Sequence, residues 1–167
     1  MKIKNIILSL TIVFGIIIAC DYGDIFKTYT YSDEWEIQYP PYMRKTPYVY
    51  SGAEFQVKNG YRDTYMFMRE MTTNSEPAFL LDSLSQLLQA NLLDPRVEQD
   101  STYNLNGYKY HTQFLTGILQ DKRMFYVLSV IKNGEHVYHY SGWMFNHKRE
   151  LWQADFEQSL HSWKTLK

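Results

Sequence analysis

The run Met124-Phe125-Tyr126-Val127-Leu128-Ser129-Val130-Ile131 constrains the fold most, because it is apolar on both faces of an extended chain. Met124, Tyr126, Leu128 and Val130 point one way, and Phe125, Val127 and Ile131 join Ser129 on the other. Such a strand belongs in the middle of a sheet that is covered on both sides. Asn133-Gly134 follows it and leads into a second extended run, His136 to Phe145. Asn-Gly between extended runs is a strong hairpin signal, since both central residues of a type I′ turn need positive φ. The same dipeptide recurs twice. Asn106-Gly107 joins Thr102–Leu105 to Tyr108–Leu115, and Asn59-Gly60 joins a run from Tyr48 to Lys58 to one ending at Met71. In that last run Tyr65, Phe67 and Arg69 alternate with Thr64, Met66 and Met68. An earlier strand, Trp35-Glu36-Ile37-Gln38-Tyr39, is closed by Pro40-Pro41, which cannot donate to a ladder.

Two helices are available to cover such a sheet. Ser75-Glu76-Pro77 opens the first with a capping residue and a first-turn proline. Leu80, Leu81, Leu84, Leu87, Leu88 and Leu92 then recur at helical spacing until Asp94-Pro95 stops it. The second starts near Asn146 as a cap and carries Trp152, Phe156, Leu160 and Trp163 on one stripe. The order of strands, helix, strands, helix, without repeats, predicts one α+β domain with a largely antiparallel sheet flanked by helices.

The single cysteine decides how such a domain is held. Gly15-Ile16-Ile17-Ile18-Ala19-Cys20 ends an apolar run that starts at Ile6 behind Lys2 and Lys4, the pattern of a bacterial lipoprotein signal. The run to Ala19 is shorter than the roughly 20 apolar residues a membrane-spanning helix needs. The expectation is a leader over 1–19, acylated Cys20 with a tether over 20–30, and a folded domain over 31–167. Lipidation of Cys20 would give a stable membrane anchor facing the periplasm or cell exterior. It also leaves no thiol for a disulfide, so the fold must stand on its core. Fifteen Tyr, nine Phe and four Trp supply one. A formal net charge of −1 gives no electrostatic case for nucleic acid as a partner.

The chain resembles the PsbP-like fold family, closest to its bacterial DcrB-type lipoproteins, over roughly residues 31–166. Trp35-Glu36-Ile37-Gln38-Tyr39-Pro40 is similar to the family's opening strand ending in Tyr-Pro. Leu105-Asn106-Gly107-Tyr108 is similar to its hydrophobic-x-Gly hairpin, and Phe156-Glu157-Gln158-Ser159-Leu160 to its terminal Ser-Phe segment. Leu160 stands where the family often has Phe, and Pro41-Tyr42 departs from its usual continuation. The resemblance implies an α/β/α sandwich and a binding or assembly role with an envelope protein partner, and it carries over no catalytic set.

The chemistry-bearing residues fit that expectation. His136 and His139 are three apart in a strand and face opposite sides of the sheet, so they cannot share a metal ion. Pairing of His139 with His111 requires adjacent strands. No metal and no cofactor is expected. Ser141 beside His139 has the residue types of a hydrolase pair but lacks a Gly-x-Ser-x-Gly elbow, and the glycines stand singly at turns rather than in a phosphate loop. The reading is therefore a non-catalytic binding or assembly factor of the cell envelope. The alternatives are a small-molecule binder and, less favoured, a hydrolase. The expected ligand or partner surface is the tyrosine set Tyr108, Tyr110, Tyr138 and Tyr140, whose rings offer contact area and whose hydroxyls offer hydrogen bonds.

Overall fold

The computed structural model describes residues 25–166, so the leader and Cys20 lie outside the described residues. The elements run β1 (Lys27–Tyr31), β2 (Trp35–Tyr39), β3 (Arg44–Lys45), β4 (Phe55–Asn59) and β5 (Thr64–Met71), then α1 (Pro77–Gln89). They continue with β6 (Leu93–Leu105), β7 (Tyr108–Leu119), β8 (Lys122–Asn133), β9 (His136–Phe145), a 3-10 turn (Asn146–Lys148), α2 (Arg149–Ser162) and β10 (Lys164–Thr165). A seven-stranded antiparallel sheet has the order β3-β4-β5-β9-β8-β7-β6, and a three-stranded one has the order β1-β2-β10.

The doubly apolar strand is β8, and it lies between β7 and β9 as its pattern requires. Phe125, Val127 and Ile131 enter a core with Trp35, Ile37, Phe55, Met66, Tyr140, Phe156, Leu160 and Trp163. That core lies between the large sheet and a cover made of the small sheet and α2. Two serines of α2 fasten the cover: Ser159 Oγ donates to the Gln38 carbonyl (2.6 Å), and Gln38 N–H donates to Ser162 Oγ (2.7 Å). On the opposite face Tyr126, Leu128 and Val130 meet Leu81 and Leu92, with Leu80, Leu84 and Leu88 of α1 alongside.

Turn chemistry explains where the structure departs from expectation. Asn106 and Gly107 both have positive φ (54° and 85°), as a type I′ turn needs. The other two Asn-Gly pairs behave differently. Asn133 pairs with His136, so Gly134-Glu135 forms the loop and only Gly134 (φ 59°) is left-handed. Asn59 pairs with Thr64 across a four-residue loop in which Asp63 takes the positive φ (47°). The turn between β7 and β8 uses Gln120 and Asp121, both left-handed without any glycine to announce it. Chain between Tyr48 and Glu54, expected to be extended, is irregular, and regular pairing begins only at Phe55.

β1 starts at Lys27, inside the stretch expected to be tether, and its polar, outward pattern hid it. β6 reaches back to Leu93, well before the expected Thr102, because an edge strand exposed on both faces shows no apolar alternation. At the start of α1, Glu76 rather than Ser75 occupies the cap position, and no side chain caps it. Asn146 opens the 3-10 turn and makes no capping bond.

Gly117 on β7 lets α1 settle. A Cβ there would stand 2.8 Å from Leu92 Cδ1 and 2.9 Å from Leu92 Cβ, closer than packed atoms come. Gly117→Ala is therefore expected to push the end of α1 off the sheet at a cost of roughly 1–3 kcal/mol, typical of overpacking. Denaturant unfolding with an unchanged m-value would report it, and a loss below about 0.3 kcal/mol would show that Leu92 has room to move.

Candidate functional site

Three of the four tyrosines expected to form a recognition surface are core residues. Tyr110 and Tyr140 are fully buried and Tyr138 nearly so, while Tyr108 is half-buried. All four lie on the face covered by the small sheet and α2. Tyr138 packs on Trp163 (4.6 Å between ring centroids), Tyr140 donates to the Phe156 carbonyl (3.2 Å), and Tyr108 Oη bonds Thr165 Oγ1 (2.9 Å). They join the sheet to its cover and form no open surface. Half-buried strand tyrosines and exposed ones share one alternation, so the pattern did not separate them.

The open surface is on the other face. α1 packs over β8, β7 and the start of β6, leaving β9 and β5 beside it without a helix. A groove of about 400 Å³ remains there. Leu84, Leu87, Leu88 and Asn91 of α1 make one wall, Tyr50, Phe67 and Trp143 the opposite wall, and Tyr126, Leu128, His139 and Ser141 the floor, with Leu119 at one end. The aromatic wall is built by stacking. Tyr50 lies on Phe67 (4.4 Å, 14°), Tyr65 on Trp143 (5.2 Å, 15°), and Phe67 meets His139 edge-on (5.1 Å). These rings come together because Tyr65, Phe67 and Arg69 of β5 register with Trp143, Ser141 and His139 of β9. Leu87 is 68% exposed at the rim, unusual for a leucine on a packed helix.

Two polar groups stand out in this apolar setting. His139 is 4% exposed, and neither ring nitrogen has a hydrogen-bond partner among the described residues. Burial, aided by the neighbouring Arg69 charge, pushes its imidazole down to about 3, so the ring is neutral at physiological pH. The Arg69 guanidinium lies over Tyr50 (4.8 Å from the ring centroid), and its buried Nε is likewise unpartnered. Among the described residues it has no acid partner.

His136 faces the other way and bonds Glu70 (2.6 Å), as strand alternation predicted. His111 and His139 lie in one cross-strand row with Val130 between them. His111 Nδ1 is bonded to Thr102 Oγ1 (2.9 Å), and no metal-holding group of three or more ligand residues occurs among the described residues. Ser141 and His139 both reach the groove, but no carboxylate orients the imidazole and no Ser141–His139 hydrogen bond satisfies its nitrogens. The arrangement lacks the base and orienter that activate a serine. A second hollow of about 420 Å³ beside the β4–β5 loop is lined by Tyr42, Arg44, Lys58 and Tyr61. Nearby Arg62 is engaged between the rings of Tyr42 and Trp152 (4.1 and 4.0 Å).

No family model matches the chain, and no curated protein sequence matches it. Solved structures do. Cyanobacterial PsbP (CyanoP) from Synechocystis sp. PCC 6803 superposes with a TM-score of 0.63 at 13% identity, over 88% of this chain and 97% of that one. The fold is PsbP-like. LpqN of Mycobacterium tuberculosis shares it, with a TM-score of 0.59 at 12% identity over 86% and 87% of the two chains. A protein from Bacteroides thetaiotaomicron VPI-5482 matches with a TM-score of 0.58 at 9% identity, over 84% of this PsbP-like chain and 48% of that protein. At such identities the likeness is one of fold.

His139 also sets a pH dependence. Its folded-state pKa is depressed below the ordinary 6.5, so between about 3 and 6.5 the unfolded chain holds a proton that the folded one refuses. Stability contributed by neutral His139 is present above 6.5 and is lost as pH falls. His111 and His161 are shifted the same way by burial, whereas exposed His136 is raised by Glu70 and works in the opposite sense. Thermal unfolding should weaken from pH 7 to pH 5, and His139→Gln should flatten that slope. An unchanged slope in the variant would assign the effect to the other histidines.

Proposed function

We propose that this protein is an envelope lipoprotein, tethered through Cys20, that works by binding rather than by catalysis. The observation that carries the reading is the open apolar groove of about 400 Å³, a size ordinary for ligand sites, walled by leucines on one side and stacked rings on the other. Its floor presents unpartnered hydrogen-bonding groups without the relay a nucleophile needs. The anchor rests on the leader and on the lone cysteine. Since β1 begins at Lys27, whose Nζ donates to the Pro41 carbonyl (2.7 Å), the stretch from Cys20 spans roughly 25 Å at most. The domain then works close to its membrane. LpqN, of the same fold, is involved in cell envelope biogenesis, which agrees with an envelope role here. Among the described residues, no helix is long and apolar enough to cross a membrane. An assembly role with an envelope protein partner uses the same tether and an exposed face of the domain.

The anchor is tested by mass spectrometry of the protein expressed in a bacterial host. The expected result is an acylated peptide that begins at Cys20. In Cys20→Ser the acylated peptide should disappear and the leader should be retained, while the domain's thermal midpoint stays within a degree or two. An unmodified Cys20 in the wild-type protein would overturn the tether.

A further inference from the structure

The groove's polar groups narrow what it binds. Its walls are leucines and aromatic rings, and Arg69 stands just outside the lining, opposite the floor residue His139 in the β5–β9 register and over the ring of the wall residue Tyr50. Stacking on Tyr50 occupies the face of the Arg69 guanidinium and leaves its in-plane N–H donors available, the edge that takes a carboxylate in bidentate fashion. A neutral His139 adds one N–H donor. His139 is buried with both ring nitrogens unpartnered, and so forgoes the hydrogen bonds that water would supply, whereas Arg69 is only part-buried, with its Nε the buried unpartnered atom. A ligand anion at this point would accept from these donors.

The apolar part of the ligand follows from where the groove lies. It runs over a sheet face, not along a strand edge, so no backbone ladder is on offer. Asn91, its one amide side chain, already donates to the Leu87 carbonyl (2.8 Å). An extended peptide laid there would bury its own amides unpaired, whereas an alkyl chain has none to bury. We propose that the groove binds a single-chain fatty carboxylate, with its alkyl chain between the α1 leucines and the Phe67–Trp143 wall and its carboxylate at Arg69 and His139. This inference deepens the binding role proposed above and rests on it.

The test is thermal unfolding of the full-length lipidated protein in phosphatidylcholine nanodiscs. Decanoate, decanol and decyltrimethylammonium are titrated below their micellar concentrations, with Trp fluorescence as the readout. Decanoate should raise Tm and bind about ten-fold or more tighter than decanol, the scale of one charge-assisted contact, and the cation should bind no better than decanol. Arg69→Gln should reduce the preference for decanoate to about two-fold or less while decanol still binds, and Arg69→Lys should restore part of it. Leu84→Asp should weaken all three ligands. Equal binding of decanoate and decanol to the wild type would overturn the carboxylate site and leave the apolar groove standing. Failure of every alkyl ligand to bind would remove the groove as a binding site altogether. Stronger stabilisation by an amphipathic peptide than by decanoate would replace the fatty carboxylate with a protein partner. The wild-type comparison of the three head groups decides the proposal even if a variant folds poorly.

Discussion

A strand that is apolar on both faces has to be covered on both faces, and the rest of this structure follows from how each side of β8 is covered. On one side the chain folds a second sheet and a helix over it, bringing Trp35, Phe156 and Trp163 down onto Phe125, Val127 and Ile131. Close approach is needed for that. Gly142 sits under Phe156 so tightly that a Cβ there would stand 3.1 Å from the ring. The serines of α2 then satisfy the free polar groups of Gln38 where β10 stops pairing with β2. The tyrosines on this side belong to the same solution. Their rings fill the space between sheet and cover, and most of their hydroxyls find partners at its margins.

The other side is covered differently, and geometry shows why. Seven strands spaced about 4.8 Å apart span roughly 29 Å, whereas a helix with its side chains is about 10–12 Å across. One helix therefore covers only β7 and β8, touching no more than the start of β6, and Gly117 lets the segment just after it lie close. Beyond it, β9 and β5 protect themselves with stacked rings, Tyr50 on Phe67 and Tyr65 on Trp143. Rings stacked face to face make a wall but not a lid. The space between that wall and α1 is the groove.

Much of this was legible in the chain, and the parts that were not have physical reasons. The β8 pattern marked a central strand, the Trp152–Phe156–Leu160–Trp163 stripe marked the buried face of α2, and the leucine spacing marked α1, which however ends at Gln89, so that Leu92 lies in the turn and Asp94-Pro95 in β6. β1 and the first part of β6, before Thr102, escaped notice because they are short or largely exposed edge segments with little apolar alternation. The Gln120-Asp121 turn escaped because its left-handed residues are not glycines. The burial of the tyrosine set escaped the pattern for a deeper reason. Alternation separates two faces of a strand but does not say which face a later helix will cover, so the tyrosines and the Tyr65–Phe67–Arg69 row were equally good candidates. What separates them is the second sheet β1-β2-β10, which fills one face and which the sequence did not announce because β1 and β10 are short and largely exposed.

The unpartnered groups in the groove also bear on what shaped it. A fold optimised for stability alone would carry Phe or Leu at position 139 and an exposed neutral residue at 69, gaining burial and avoiding two orphaned polar groups. Instead a neutral imidazole and a guanidinium face each other across β5 and β9, the imidazole against the Phe67 ring and the guanidinium over Tyr50. Local choices that disagree with the surrounding pattern, at a cost of about 1–3 kcal/mol each, tend to mark sites where something other than folding is at stake. Among the groove's lining residues the buried unpartnered polar atoms belong to His139 alone, with Arg69 next to it in the β5–β9 register. That pairing gives the apolar groove one place for a polar head, which a simple packing defect would lack.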